Sequence, residues 1–261
     1  MVDKESDIVI VGTGHGGAMT AAALRQRKYT GSITVLGEEA DPPYERPPLS
    51  KAYLSGERDF EDILLRPVTF WSDRDIAIRN GARVVAVDAS AHTAILADGR
   101  AFGYRQLVWA GGGHPRQLVC PGADLAGVHS VRTRADIDAI MTGFDRVEQV
   151  VVIGGGYIGL EAAAVLRKLG KAVTVLETQD RVLSRVAGPD LSCFFAAEHL
   201  RQGVDLRLNT ALSHITGQEG SVSGVVLSDG TALPAQKVIV GIGILPSVAP
   251  VLEAGATAGP A

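Results

Sequence analysis

The chain has 261 residues, 46% hydrophobic and 21% charged, enough apolar surface for a sizeable core and a length that favours two domains. Its net charge of −4, with both signs interspersed, argues against nucleic-acid binding as the main task. The longest apolar runs are strand-length, so no membrane span is expected, and the scattered cysteines (Cys120 and Cys193) and histidines have no metal-ligand spacing, so no metal site is expected.

The opening MVDKESDIVIVG runs straight into a strand and lacks signal-peptide features; with its two separated cysteines it suggests a reducing, cytoplasmic setting. Asp7 to Val11 reads as a buried strand, and Gly12, Gly14 and Gly17 follow with G-x-G-x-x-G spacing. A helix is expected over Ala18–Lys28 and a second strand over Ser32–Leu36, with Glu38 twenty-one residues after Gly17. Each glycine has a mechanical reason: one for the tight turn, one for close approach to a pyrophosphate, one for helix–strand packing. The helix N-terminus then offers unpaired N–H groups to the phosphates.

Residues 41 to 56, DPPYERPPLSKAYLSG, hold Pro42, Pro43, Pro47 and Pro48, which fix the backbone and place Arg46 and Lys51 on a stiff segment near the carboxyl end of the first sheet. Val84 to Asp88 and HTAILADGRAFGY, turning at Asp98-Gly99, predict a β-meander. Leu107 to Ala110 predicts a further strand running into Gly111, Gly112 and Gly113.

The order then repeats. Val150 to Ile153 predicts a strand, and Gly154, Gly156 and Gly159 repeat the spacing. The following helix has apolar positions Ile158, Ala162, Val165, Leu166 and Leu169, with Gly170 as its stop. The strand Ala172–Leu176 ends in Glu177, eighteen residues beyond Gly159, the place for a carboxylate that binds both ribose hydroxyls. A 2′-phosphate there meets like charge, so NAD is favoured over NADP. Val204 to Leu208, the hairpin SGVVLSDGTAL at Asp229-Gly230, and the strand Lys237–Val240 running into Gly241 and Gly243 complete the second half. Two nucleotide sites in one chain suggest transfer between two cofactors, such as a nicotinamide and a flavin.

The segments GTGHGG, YERPPLSKAYL, VRTRAD, VVIGGGYIGLEAAA, RVLSRVAG and VGIGILP resemble the FAD-dependent, NADH-oxidising ferredoxin reductases of the putidaredoxin-reductase type. The resemblance covers essentially the whole chain. It implies an α/β protein with two Rossmann-like domains of the glutathione-reductase type, each with a β-meander: an FAD domain over 1–113, an NAD domain over 114–245, and a return to the FAD domain over 246–261. It further implies hydride transfer from NADH to FAD, then single electrons to a [2Fe–2S] ferredoxin that serves an oxygenase. By motif, Gly12, Gly14, Gly16, Gly17, Glu38, Arg46, Val84 and Arg132 contact FAD, with Lys51 near the flavin. Gly154, Gly156, Tyr157, Ile158, Gly159 and Glu177 hold NADH, flanked by Arg185, Gly241 and Gly243. Glu161 faces Lys51 near the nicotinamide and keeps its ammonium oriented.

Disulfide reductases of this fold need a cysteine pair after the first helix, where this chain has Ser50 and Lys51; dithiol and peroxidase chemistry are not expected. The family's usual A-T-G is Ala110-Gly111-Gly112 here, and His114 stands where a charged residue is common. By the family pattern a strand with an A-x-G-D motif and an interface domain follow residue 261. Without them the FAD domain is expected to be incomplete, with unpaired backbone beside its first strand. The alternative to a working reductase is a truncated, inactive NAD(H)-binding fragment; an NADH oxidase or rubredoxin reductase of related fold is a third reading.

Overall fold

The computed structural model describes residues 2–257 and 259. It divides into two units, Met1–Arg46 with Phe60–His114 and Pro246–Ala261, and Pro47–Asp59 with Pro115–Leu245. The sequence places 47–59 with the first domain, whereas here this segment packs with the second unit. The reason is side-chain contact: the Tyr53 hydroxyl donates to Asp138 Oδ1 at 2.8 Å, and Glu57 pairs with Lys168.

In the first unit, the run Ile8 to Val11 is buried on both faces, as a central parallel strand requires. The unit comprises β1 (Val2–Val11), α1 (His15–Gln26), β2 (Ile33–Leu36), the single turn α2 (Thr69–Ser72), β3 (Ile76–Arg79), β4 (Val84–Asp88), β5 (Thr93–Leu96) and β6 (Ala101–Trp109). The six form one sheet in the order β3-β2-β1-β6-β5-β4. α1 buries only small residues, Gly17, Ala18, Ala21 and Ala22, so it lies close against Ile8, Ile10, Ile33 and Val35. The opposite face packs Val9, Val11, Leu96, Phe102 and Tyr104.

Two expectations are corrected here. Leu107–Ala110 is not a separate strand: β6 runs unbroken from the hairpin, antiparallel to β5 and parallel to β1. β1 is therefore paired on both edges, by β2 and by β6, and the expected unpaired backbone beside it is absent among the described residues. Nine residues make β6 long enough to serve both neighbours.

The chain passes between units through β7 (Gly113–Pro115). The second unit holds β8 (Val128–Ser130), α3 (Arg134–Met141), β9 (Gln149–Ile153), α4 (Tyr157–Lys168), β10 (Ala172–Leu176), α5 (Pro189–Arg201), β11 (Asp205–Arg207), β12 (Leu212–Gln218), β13 (Ser221–Leu227), β14 (Ala232–Pro234) and β15 (Lys237–Val240). The chain leaves it through β16 (Ile244–Pro246), and α6 (Ala249–Glu253) packs beside β4 in the first unit. The parallel sheet runs β11-β10-β9-β15-β8, and β12-β13-β14 form a separate meander. Val204–Leu208 thus corresponds to β3 and not to β4: it extends the parallel sheet through Thr174↔Asp205 pairing. α4 buries Gly159, Leu160, Ala162, Ala163 and Leu166, each large side chain contributing about 1.5–3 kcal/mol of burial. Gly170, at φ +80°, ends it as expected, while Ile158 is exposed near its N-terminus.

Candidate functional site

β9 delivers the chain to Gly154 at φ +107°, a left-handed turn closed by Gly154 N–H donating to Leu176 O at 2.8 Å. A Cβ at Gly154 meets Gly241 O at 2.5 Å, and one at Gly159 meets Gly154 O at 2.0 Å, so neither position has room for a side chain. Gly156 differs: its φ is −80° and the nearest atom to a Cβ there, Gly241 O, is 4.0 Å away, leaving open space in front of α4. α4 starts there with no side-chain cap, so its first amides face that space without a built-in acceptor. Glu177 follows β10 directly. Gly155 N–H donates to its Oε2 at 2.7 Å and Gln179 N–H to its Oε1 at 2.9 Å, fixing the carboxylate plane.

These groups border a cavity of about 590 Å³ at the carboxyl end of the parallel strands. Its wall includes Gly154–Ile158, Glu177–Gln179, Leu183–Val186 and Gly241–Ile244, with Leu176, Leu212 and Val240 as apolar lining. Arg132 and Arg185 are its lining cations. A bare glycine turn, uncapped helix amides and a held carboxylate fit a diphosphate joined to a ribose.

The first unit repeats the cradle. Gly12 has φ +110°, its Cβ would lie 2.2 Å from Ala110 O, and that of Gly17 would lie 1.9 Å from Gly12 O. Gly14 is open and α1 is again uncapped, and Gly16 has only the Ala110 Cβ 4.0 Å away. This cradle also fits a diphosphate. The acid is placed differently: Gly37, not Glu38, follows β2 as Glu177 follows β10, and a Cβ there meets Thr13 Oγ1 at 2.3 Å. Glu38 is exposed and pairs with Arg83 at 3.5 Å. Arg46 pairs with Glu39, donates to the Tyr44 hydroxyl at 2.7 Å and lies over its ring. Val84 is half-buried at the start of β4.

Lys51 and Glu161, 110 positions apart in sequence, meet within the second unit. Lys51 Nζ lies 2.8 Å from Glu161 Oε2, and the buried Ser50 hydroxyl donates to the same oxygen at 2.6 Å. The turn Pro47–Ser50 directs Ser50 and Lys51 onto α4. Arg132, matched by motif to FAD, lines the cavity of the second unit, and its N–H donates to Asp136 Oδ2 at 2.9 Å. Sequence reasoning missed Ser50 as a partner, and missed the wall residues Leu183, Ser184 and Val186, although RVLSRVAG marks their loop.

His129, Lys237 and Cys120 are not among the residues that line the cavity. Burial, then the Lys237 charge, pushes His129 down to about 4, with Lys237 Nζ 3.3 Å from His129 Nε2. Burial lowers Lys237 too, and raises the Cys120 thiol. Among the described residues no group of three or more potential ligands could hold a metal ion, and no helix is long and apolar enough to cross a membrane.

Two glycine cradles of one design, each following a strand paired in parallel on both edges, define an α/β protein with paired dinucleotide-binding folds. Residues 6–260 match the pyridine nucleotide-disulphide oxidoreductase family, and the chain belongs to it. It is 55% identical over 258 residues to a ferredoxin–NAD(P)(+) reductase of Sphingomonas sp., covering 99% of this chain and 62% of that relative. It is 52% identical over 254 residues to the ferredoxin reductase subunit of 5,5′-dehydrodivanillate O-demethylase of Sphingobium sp. (strain NBRC 103272 / SYK-6), covering 97% and 62%. The crystal structure of the covalent putidaredoxin reductase–putidaredoxin complex superposes with a TM-score of 0.93 at 37% identity, covering 99% of this chain and 63% of that one. The chain spans about three fifths of the length of the relatives it matches.

Proposed function

We propose that the chain serves electron transfer from NADH through FAD to a [2Fe–2S] ferredoxin of an oxygenase system in the cytoplasm. The observation that carries this reading is the Lys51–Glu161 ion pair on a chain with two glycine cradles. The names of its relatives, reductases that pair with ferredoxins, support it. The second cradle takes NADH and the first takes FAD. Glu177 accepts from both hydroxyls of the adenosine ribose and repels a 2′-phosphate, which sets NAD above NADP. FAD, when bound, supplies the conversion between a two-electron hydride and single electrons. Lys51 holds a positive charge for the reduced cofactor, and Glu161 and Ser50 fix that ammonium in place.

The test is the visible spectrum of the purified chain before and after adding FAD and desalting, followed by NADH and a ferredoxin. Retained bands near roughly 380 and 450 nm, the range of oxidised protein-bound flavin, with NADH-dependent bleaching and ferredoxin reduction, are expected. A second reading, NAD(H) binding without turnover, is favoured by one observation: the cavity and Glu177 lie wholly within the second unit. A colourless protein that still binds NADH would decide for it.

A further inference from the structure

Arg181 is half-buried, and its guanidinium makes three hydrogen bonds, two to the loop that follows it and one to the first turn of α5. Nη1 donates to Ala187 O at 2.7 Å and to Ser192 Oγ at 2.8 Å, and Nη2 donates to Ser184 O at 2.8 Å. Ser192 is 1% exposed and lies in the first turn of α5. Arg181 does not line the cavity, yet Leu183, Ser184, Arg185 and Val186, the stretch it brackets, all do.

That stretch is conformationally demanding. Leu183 has φ +54°, a left-handed backbone that a branched side chain adopts only when its surroundings impose it. Its N–H donates to Gly155 O at 2.9 Å, its own carbonyl accepts from Val186 and Ala187 at 2.9 Å, and its side chain is buried beside Leu160 and Val182. Gly155 in turn donates to Glu177, so the loop, the glycine turn and the ribose-side carboxylate form one hydrogen-bonded chain. The inner end of the loop is held by Gly155. Its outer end is held by Arg181.

We propose that Arg181 is a positioning residue for nucleotide binding: it clamps the 183–187 loop in the shape that walls the cavity, and does not itself meet the ligand. This rests on the reading of the cavity as the NADH site. A planar fork with three charge-assisted bonds suits the task, and a lysine ammonium on one stem cannot span acceptors at 184, 187 and 192 together. Because the loop joins the Glu177 side of the cavity, the adenosine half of the dinucleotide should feel its loss.

The test uses the purified chain with R181K, R181A and S192A, titrated calorimetrically with NADH and with ADP-ribose. Hydrogen exchange of the Val186 and Ala187 amides is measured in the ligand-free proteins. R181A should weaken NADH and ADP-ribose by the same factor, roughly tenfold for lost charge-assisted bonds. R181K should lose less, S192A about two- to threefold for a single bond, and both amides should exchange faster in all three. If R181A does not fold, R181K and S192A carry the test. Unchanged affinities, or faster exchange with unchanged affinities, overturn the clamp. Wild-type chain that binds neither NADH nor ADP-ribose overturns the nucleotide reading instead, and the binding role of Arg181 with it.

Discussion

Replacing Glu177 with alanine removes the acceptor for two backbone amides as well as the proposed ribose ligand. The two amides are not equivalent. Gln179 is exposed, and its N–H can turn to water at little cost. Gly155 is buried, and its N–H, now 2.7 Å from Oε2, is left without that acceptor. An orphaned buried donor costs about 1–3 kcal/mol, so the unliganded chain should lose stability by that amount in urea unfolding. Loss of the ribose contacts should weaken NADH by a further roughly 5- to 150-fold, the same energy range expressed as affinity. NADPH, which meets like charge at the carboxylate, should weaken less or gain. Calorimetric titration of both nucleotides against wild type and Glu177→Ala measures this. An NADH/NADPH preference that does not narrow refutes the ribose role; unchanged unfolding refutes the strut to Gly155.

Gly159→Ala and Gly156→Ala should separate fold from site. The first forces a Cβ to 2.0 Å from Gly154 O and should cost about 3 kcal/mol by overpacking, whereas the second has open space and should melt normally while binding NADH more weakly. Lys51→Ala should slow flavin reduction by NADH in stopped flow more than it weakens FAD binding; equal effects make Lys51 structural. Ser50→Ala should do the same to a smaller degree, since Glu161 then keeps only one of its two contacts at Oε2. His129 is depressed from 6.5 to about 4 by burial and then by Lys237, so the unfolded chain binds the extra proton between those values. Stability should therefore fall as pH drops from about 6.5 to about 4, and His129→Gln should flatten that slope in thermal melts.

The strands, both glycine turns and the Asp98-Gly99 and Asp229-Gly230 hairpins were legible because their signals are local: β-branched runs and residues that permit positive φ. Glu177 was legible because it sits one residue past its strand. Glu38 sits one residue further past its strand, because β2 ends at Leu36 and Thr13 fills the space beside Gly37, a difference that counting from Gly17 does not show. The Lys51–Glu161 pair came only through resemblance, because nothing local links residues so far apart. Ser50 and Arg181 stayed hidden for a related reason: their partners are set by how a turn packs on α4 and how a loop folds back on α5. The sequence does not separate β11 from the meander, because periodicity marks a strand without naming its neighbour.

The unbroken course of β6 makes the Asp98-Gly99 turn a ruler for a cradle it does not touch. The hairpin pairs Ile95 with Ala101, and from there the same strand counts out to Ala110, whose carbonyl closes against Gly12. One residue inserted at that turn would shift the count and flip alternate side chains between faces. In the second unit the hairpin ends in β14, on a different sheet from β15, so the corresponding count is interrupted before Gly241. Insertional mutagenesis should thus meet two unequal hairpins in one chain, intolerant at 98–99 and permissive at 229–230.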